Sequence, residues 1–458
     1  MVGMMTQGAY YFVDRVFVGQ ALNPDALAGI TMAFPYMLVL LAAAMLIGYG
    51  AAAQVSIKLG EKKRDGAERV LGSATAMILV LSVILTVVGL AVLDPVLHGL
   101  GISREVLPYT HDYLQIVILA TGFQLAGFGL NAVIRAEGNA RTAMWTLLIG
   151  VFLNFFLAWL FLFKFQWGMR GAAFATAISQ SVSAVWVLAY FLRGKSLVRL
   201  HWRYLKFHGP TCGNILLIGS PMFLMQLFGA LMFGFVNHQA GKYGQAGNYG
   251  DTAIAVWGGI YALFMVANMP VYGINQGTQP IVGFNHGAKR FDRVKEALLT
   301  GILYASTLTV LGFVVAMLIQ RQVMELFINA KTANRSQLID LGVHAMRVCF
   351  LLSPLVGFQV VSASYFQATG KPREATLLML SRQVFLLIPL VWILPLFFKL
   401  DGVWMALPIS DGVSSLVTGA CLLFELRRLD SRHQEMTAAT SAAAALAAEN
   451  LAVSEDAI

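Results

Sequence analysis

Among the few ionisable residues that interrupt the apolar stretches of this chain are Asp14, Arg15, His344, Arg347, Arg382 and Asp411. A charge held away from water is expensive, so each marks a functional group or a buried partner. Asp14 lies between QGAYYFV and RVFVGQ. Burial there disfavours the charged carboxylate, which suits it to taking up a proton or another cation. Its neighbour Arg15 points from a different helix face and does not neutralise it. Arg347, Arg382 and Asp411 fall in three successive apolar runs, with His344 one turn from Arg347. There a buried structural ion pair competes with a transport role. Cys212, Cys349 and Cys421 are far apart, without metal-ligand or redox spacing,.

These groups need elements that can hold them. Hydrophobic residues make up 58% of the chain and charged residues 12%, with a mean hydropathy of +0.70. Charges so scarce cannot cover a water-facing surface, so lipid is the solvent for much of the chain. Apolar runs occur at 1–18, 30–53, 71–93, 109–131, 143–163, 171–192, 215–239, 253–283, 298–319, 341–366, 377–398 and 402–425. Each approaches the roughly 20 residues a membrane helix needs, and we number them spans 1 to 12. They are too long and continuous for barrel strands. The backbone must satisfy itself within each segment, so an all-α polytopic membrane protein is expected. Span 1 begins at Met1 and, at 1.5 Å per residue, reaches about 27 Å, barely a crossing. The N-terminus lacks a basic region and a small-residue cleavage site, so no cleavable signal peptide is expected.

The spans form a repeat. Gly50, Gly60, Lys62 and Asp65 recur as Gly277, Gly287, Lys289 and Asp292, all shifted by 227. GAAFATAISQSVS at 171–183 is echoed by GVWMALPISDGVS at 402–414, and 136–143 by 368–375. Phe12-Val13-Asp14 is echoed by Phe235-Val236-Asn237. Six spans per copy make this a parallel repeat about an axis along the membrane normal, the plan of a two-lobed transporter. The expected organisation is an N-terminal six-helix lobe at 1–192, a linker at 193–214, a C-terminal lobe at 215–428 and a cytoplasmic tail at 429–458 that is disordered or a frayed helix. The repeat is chemically unequal: Asp14 maps onto Asn237, and Asp411 onto Gln180.

The net charge of +9 is a topology signal. Most of the 32 Lys and Arg lie in the loops at 54–70, 132–142, 193–214, 284–297 and 367–376 and in the C-terminal tail. Short basic loops stay in the cytoplasm, which places both termini there and argues against nucleic-acid binding. No HExxH, GxSxG or Walker loop occurs, so neither an enzyme nor an ATP-driven pump is expected.

The chain resembles the multidrug and toxic compound extrusion (MATE) transporters. The segments that carry the resemblance are YFVDRVFVGQ, GINQGTQPIVGFNHGAKRFDRV, LNAVIRAEGN, GVFLNFFLAWLFLF with GMRGAAFATAISQ, and FQATGKPREA with SRQVFLLIPLVWILP. The resemblance implies two six-helix lobes in a V, and export of amphipathic, often cationic compounds driven by inward H+ or Na+. It places cation coupling at Asp14, Asn154, Ala172 and Thr176, with Asp14, Asn154 and Thr176 as the oxygen donors if the ion is Na+. It places the N-lobe substrate cavity at Gln7 and Asn131, and Tyr10 and Gln180 join them as expected cavity residues. Arg347, Arg382 and Asp411 form a candidate C-lobe network. One position departs from the pattern: Ala158 stands where a second aspartate is common, with Trp159 where proline is usual. A single carboxylate favours H+ over Na+, which needs several hard oxygens.

The expectation is therefore a cation-coupled antiporter of the plasma (inner) membrane, monomeric, in contact with lipid and without a cofactor. A lipid or lipid-linked glycan flippase is the alternative. Arginines lining the central cavity would distinguish it, and Arg347 and Arg382 are those the sequence offers. An intramembrane enzyme, which needs clustered His, Asp or Glu, is a weaker alternative.

Overall fold

The computed structural model describes residues 17–18, 20–22, 24–99, 104–193, 196–246, 252–327 and 335–455. Asp14, Arg15, Gln7 and Tyr10, and with them most of span 1, lie outside the described residues. Spans 2 to 12 are helical. Spans 2 and 3 are Pro24–Gly60 and Arg64–Gly99. Span 4 is Leu107–Leu119 joined to Thr121–Ala136 at a 58° bend. Span 5 is Ala140–Trp159 with a π-helical turn at Leu160–Lys164, and span 6 is Gly168–Leu192. Spans 7, 8 and 9 are Gly209–Ala246, Thr252–Gly287 and Phe291–Phe327. Span 10 is Arg335–Phe350 joined to Pro354–Ala368 at a 42° bend. Pro354 opens the second half of that span, where its missing N–H costs nothing and its ring blocks continuation of the first half.

Span 11 begins at Pro372–Leu380 and passes through a π-helical stretch, Ser381–Leu387. Lys399, at φ 50°, separates it from span 12, so helix Ile388–Glu455 is two helices meeting at a kink. Span 12 then continues to Glu455, so of the two expected forms of the tail, disordered or helical, the described residues take the helical one. Its alanines favour helix, and a helix extended from an existing one avoids the cost of nucleation. Lys295 on span 9 pairs with Asp430 at 2.7 Å, fixing the start of that extension.

The repeat seen in the letters is also written in the backbone. Among the described residues, six of the seven left-handed positions recur in pairs, Lys62 with Lys289, Gly138 with Gly370, and Gln166 with Lys399, and Gly168 alone has no counterpart. Each pair occupies the same turn in the two copies. Spans 2 and 8 cross at the axis relating them. A Cβ added at Gly60 would lie 2.0 Å from the Phe284 carbonyl oxygen, and one at Gly287 would lie 2.1 Å from that of Ile57. Phe284 and Ile57 each precede their own helix's glycine by three residues, so the contact is reciprocal. Further along the same helices, Gln276 Nε2 donates to Tyr49 Oη at 2.9 Å across 227 residues, the repeat shift itself.

Buried apolar residues divide accordingly. One cluster runs from Val18 to Ile215, another from Met232 to Leu407, and a third joins Met222–Leu429 residues with Tyr49. The outer faces of spans 3 and 9 expose Val83, Val87, Leu303 and Leu318, as lipid contact requires. The linker is strapped to the N-terminal half by two buried glutamates. Glu137 accepts from Ser196 Oγ, Tyr190 Oη, Leu197 N and Val198 N. Glu68 accepts from Arg199 N at 3.3 Å and lies 3.3 Å from His201 Nε2.

Candidate cation and substrate sites

Spans 5 and 6 bring Asn154 and Thr176 together, both 0% exposed. Asn154 Nδ2 donates to Thr176 Oγ1 at 3.3 Å. Its other end, Oδ1, is buried with no partner among the described residues. A buried amide oxygen left without a donor is unfavourable, and it suits a cation or a proton-bearing group. Ala172 and Ala158, each one turn from this pair along its own helix, are also buried. Where Ala158 stands, the side chain supplies no oxygen, so the described part of the site offers neutral donors.

A cavity of about 120 Å³ opens beside span 4, lined by Gln124, Phe128, Thr146, Ser179 and Gln180. The amide oxygens of Gln124 and Gln180 are buried without partners among the described residues. Gln180 is one of the residues expected in the substrate cavity. Gln124 is not, although a glutamine inside the apolar run of span 4 was a readable signal. The cavity is small beside the roughly 300–1,000 Å³ of a drug pocket. Its size suits an ion, a few waters or one end of a larger molecule.

Asn131 has another place. Its Nδ2 donates to Ala143 O at 3.0 Å, and its Oδ1 accepts from Arg135. It ties span 4 to span 5 and does not line the small cavity.

In the C-terminal half, Arg382 and Asp411 meet at 2.6 Å. The π-helical stretch of span 11 carries Arg382, whose guanidinium lies 5.2 Å from the Phe264 ring. Asp411 Oδ2 has no hydrogen-bond partner among the described residues. Arg347 is not in this network. It faces outward on span 10 and donates to Gln320 Oε1 at 3.1 Å, because its position on the helix turns it towards span 9. His344 pairs with Asp401 at 3.1 Å, also at the surface.

The drug-sized space lies between the halves, on the face that carries the basic loops. It measures about 760 Å³. The arginines lining it are Arg64, Arg135 and Arg141, and not Arg347 or Arg382, which the sequence offered. Arg135 falls in the segment read as a loop at 132–142, but span 4 remains helical to Ala136.

A family model, MatE, matches residues 1–160 and 221–393. The chain belongs to the MatE family. It is a membrane transporter and not an enzyme. It is 27% identical over 417 residues to the multidrug export protein MepA of Staphylococcus haemolyticus, covering 91% of this chain and 89% of that one. The MATE multidrug transporter DinF-BH, solved in complex with a bound compound, is 36% identical, with a TM-score of 0.85 and 94% of each chain covered. An outward-facing MATE transporter at 23% identity shares the fold, with a TM-score of 0.86 over 95% of this chain and 94% of the other.

Proposed function

We infer that this MatE transporter is a cation-coupled antiporter that exports amphipathic, often cationic, drug-like compounds. It works as a monomer in the plasma (inner) membrane, with both termini in the cytoplasm and no cofactor. The observation that carries the reading is the unpartnered Asn154 Oδ1 beside Thr176, both fully buried between spans 5 and 6. Neutral oxygens stabilise a cation only weakly, so a carboxylate must complete the site, and Asp14 is the residue assigned to it. With one carboxylate the coupling ion is H+ rather than Na+. Gln7, Tyr10 and Gln180 contribute polar contacts to the cargo on the N-lobe side. The compound-bound structure of the relative above supports a drug-like cargo.

In this cycle a proton from outside neutralises Asp14, the contacts among spans 1, 5 and 6 rearrange, and cargo leaves outward. Each charge moving inward contributes about 2.3 kcal/mol per 100 mV. The direct test is ethidium efflux from cells carrying Asp14→Asn at wild-type membrane abundance. Loss of energised efflux is expected, and undiminished efflux would refute the assignment.

A further inference from the structure

Arg135 presents a positive charge to the cleft between the halves, and no carboxylate pairs with it among the described residues. Its Nη1 donates to Asn131 Oδ1, and its guanidinium lies beside the Tyr49 hydroxyl. Tyr49 Oη is in turn held by Gln276 Nε2 at 2.9 Å. The group is thus fixed from both halves at the repeat axis. A guanidinium carries five N–H donors, so donors remain beyond these two contacts. The nearest acid in the cleft wall, Glu137, is already engaged by Ser196, Tyr190 and two backbone N–H groups. Arg64 at the rim is paired with Glu68. Arg141, exposed at the mouth, has no carboxylate partner among the described residues and adds to the positive field. At the matching place in the second half stands Gln367, which donates to Ile218 O at 2.8 Å. The charge is therefore a property of one copy and not of the scaffold.

A half-buried, unpaired guanidinium is unfavourable unless an anion completes it. Around it the walls are chiefly apolar, with Leu59, Met144, Leu147, Pro280, Ile281 and Phe284. A cavity of about 760 Å³ holds a drug-sized molecule,. We propose that this cleft binds an anionic amphiphile, a phosphate or carboxylate head seated on Arg135 with its apolar body against span 8 and the start of span 5. The polarity is opposite to that expected for a cationic cargo, so the cleft is a second site beside the N-lobe one. It does not depend on cation coupling, and binding is read without transport.

The test is equilibrium binding to the purified full chain in a neutral maltoside detergent. The probes are tritiated dihexanoyl phosphatidate, tritiated decanoate, dihexanoyl glycerol as the uncharged control, and inorganic phosphate as the head without a body. Both anionic amphiphiles are expected to bind at least tenfold more tightly than the uncharged control and than inorganic phosphate. Phosphatidate binding alone would assign the site to a lipid head group, and decanoate binding alone to a free organic acid. Arg135→Gln is expected to remove the preference for the charged probe, and Arg135→Lys to retain most of it. If Arg135→Gln does not fold, the wild-type comparison of charged and uncharged probes still decides. Equal binding of charged and uncharged probes, or wild-type anion affinity in a folded Arg135→Gln protein, overturns the proposal.

Discussion

Arg382 and Asp411 show how a charge survives inside an apolar half. Each alone would be a buried ion in a medium that solvates it poorly; at 2.6 Å they compensate each other,. Truncating one leaves the other uncompensated, so Arg382→Ala or Asp411→Ala is expected to cost about 3–5 kcal/mol. The apolar double change Arg382→Met with Asp411→Leu is expected to recover most of that loss. Thermal unfolding of the purified variants checks the order. Equal destabilisation by the single and double variants would mean that the pair holds more than itself. Both residues were visible in the sequence because charges in apolar runs are rare. Their separation from Arg347 was not, since residue spacing gives no account of how spans 9, 10 and 11 rotate against one another. Arg135 was hidden for a related reason: hydropathy ends span 4 near residue 131, while the helix continues to Ala136.

At the scale of elements, the crossing of spans 2 and 8 depends on two glycines that admit each other's backbone. Gly60→Ala and Gly287→Ala are each expected to destabilise by about 1–3 kcal/mol through overpacking. Because they share one crossing, the double variant is expected to be less than additive, which unfolding midpoints of the four proteins measure. The glycines and the turns after them were legible in the sequence because close approach and left-handed backbone restrict residue choice, so both copies kept the same letters. The strap was legible only as a basic linker, because nothing local in the sequence says that Glu68 and Glu137 would hold it. Glu137→Ala leaves the N–H of Leu197 without its acceptor, while Val198 N–H keeps Ser196 Oγ, an expected cost of about 1–3 kcal/mol,. Trypsin should then cut the linker at Arg199 or Arg203 faster than in the wild type, and unchanged cleavage would show that the strap is held by other contacts.

For the whole molecule, two similar halves meet at an axis marked by Tyr49–Gln276 and Gly60–Gly287. Similar halves allow two exchangeable arrangements, while the differences between them locate the chemistry. The N-terminal half carries the buried Asn154–Thr176 pair and, at the axis, Arg135. The C-terminal half carries the closed Arg382–Asp411 pair. Cation coupling is the central claim, and reconstituted vesicles test it most directly. Ethidium is supplied outside vesicles whose lumen is acid or, separately, rich in Na+, with protein-free vesicles as the blank. The account predicts that an acid lumen drives ethidium inward through protein molecules whose cytoplasmic face is outside, and that Na+ does so weakly or not at all. Protein-dependent uptake at one rate with either gradient or with none would contradict it.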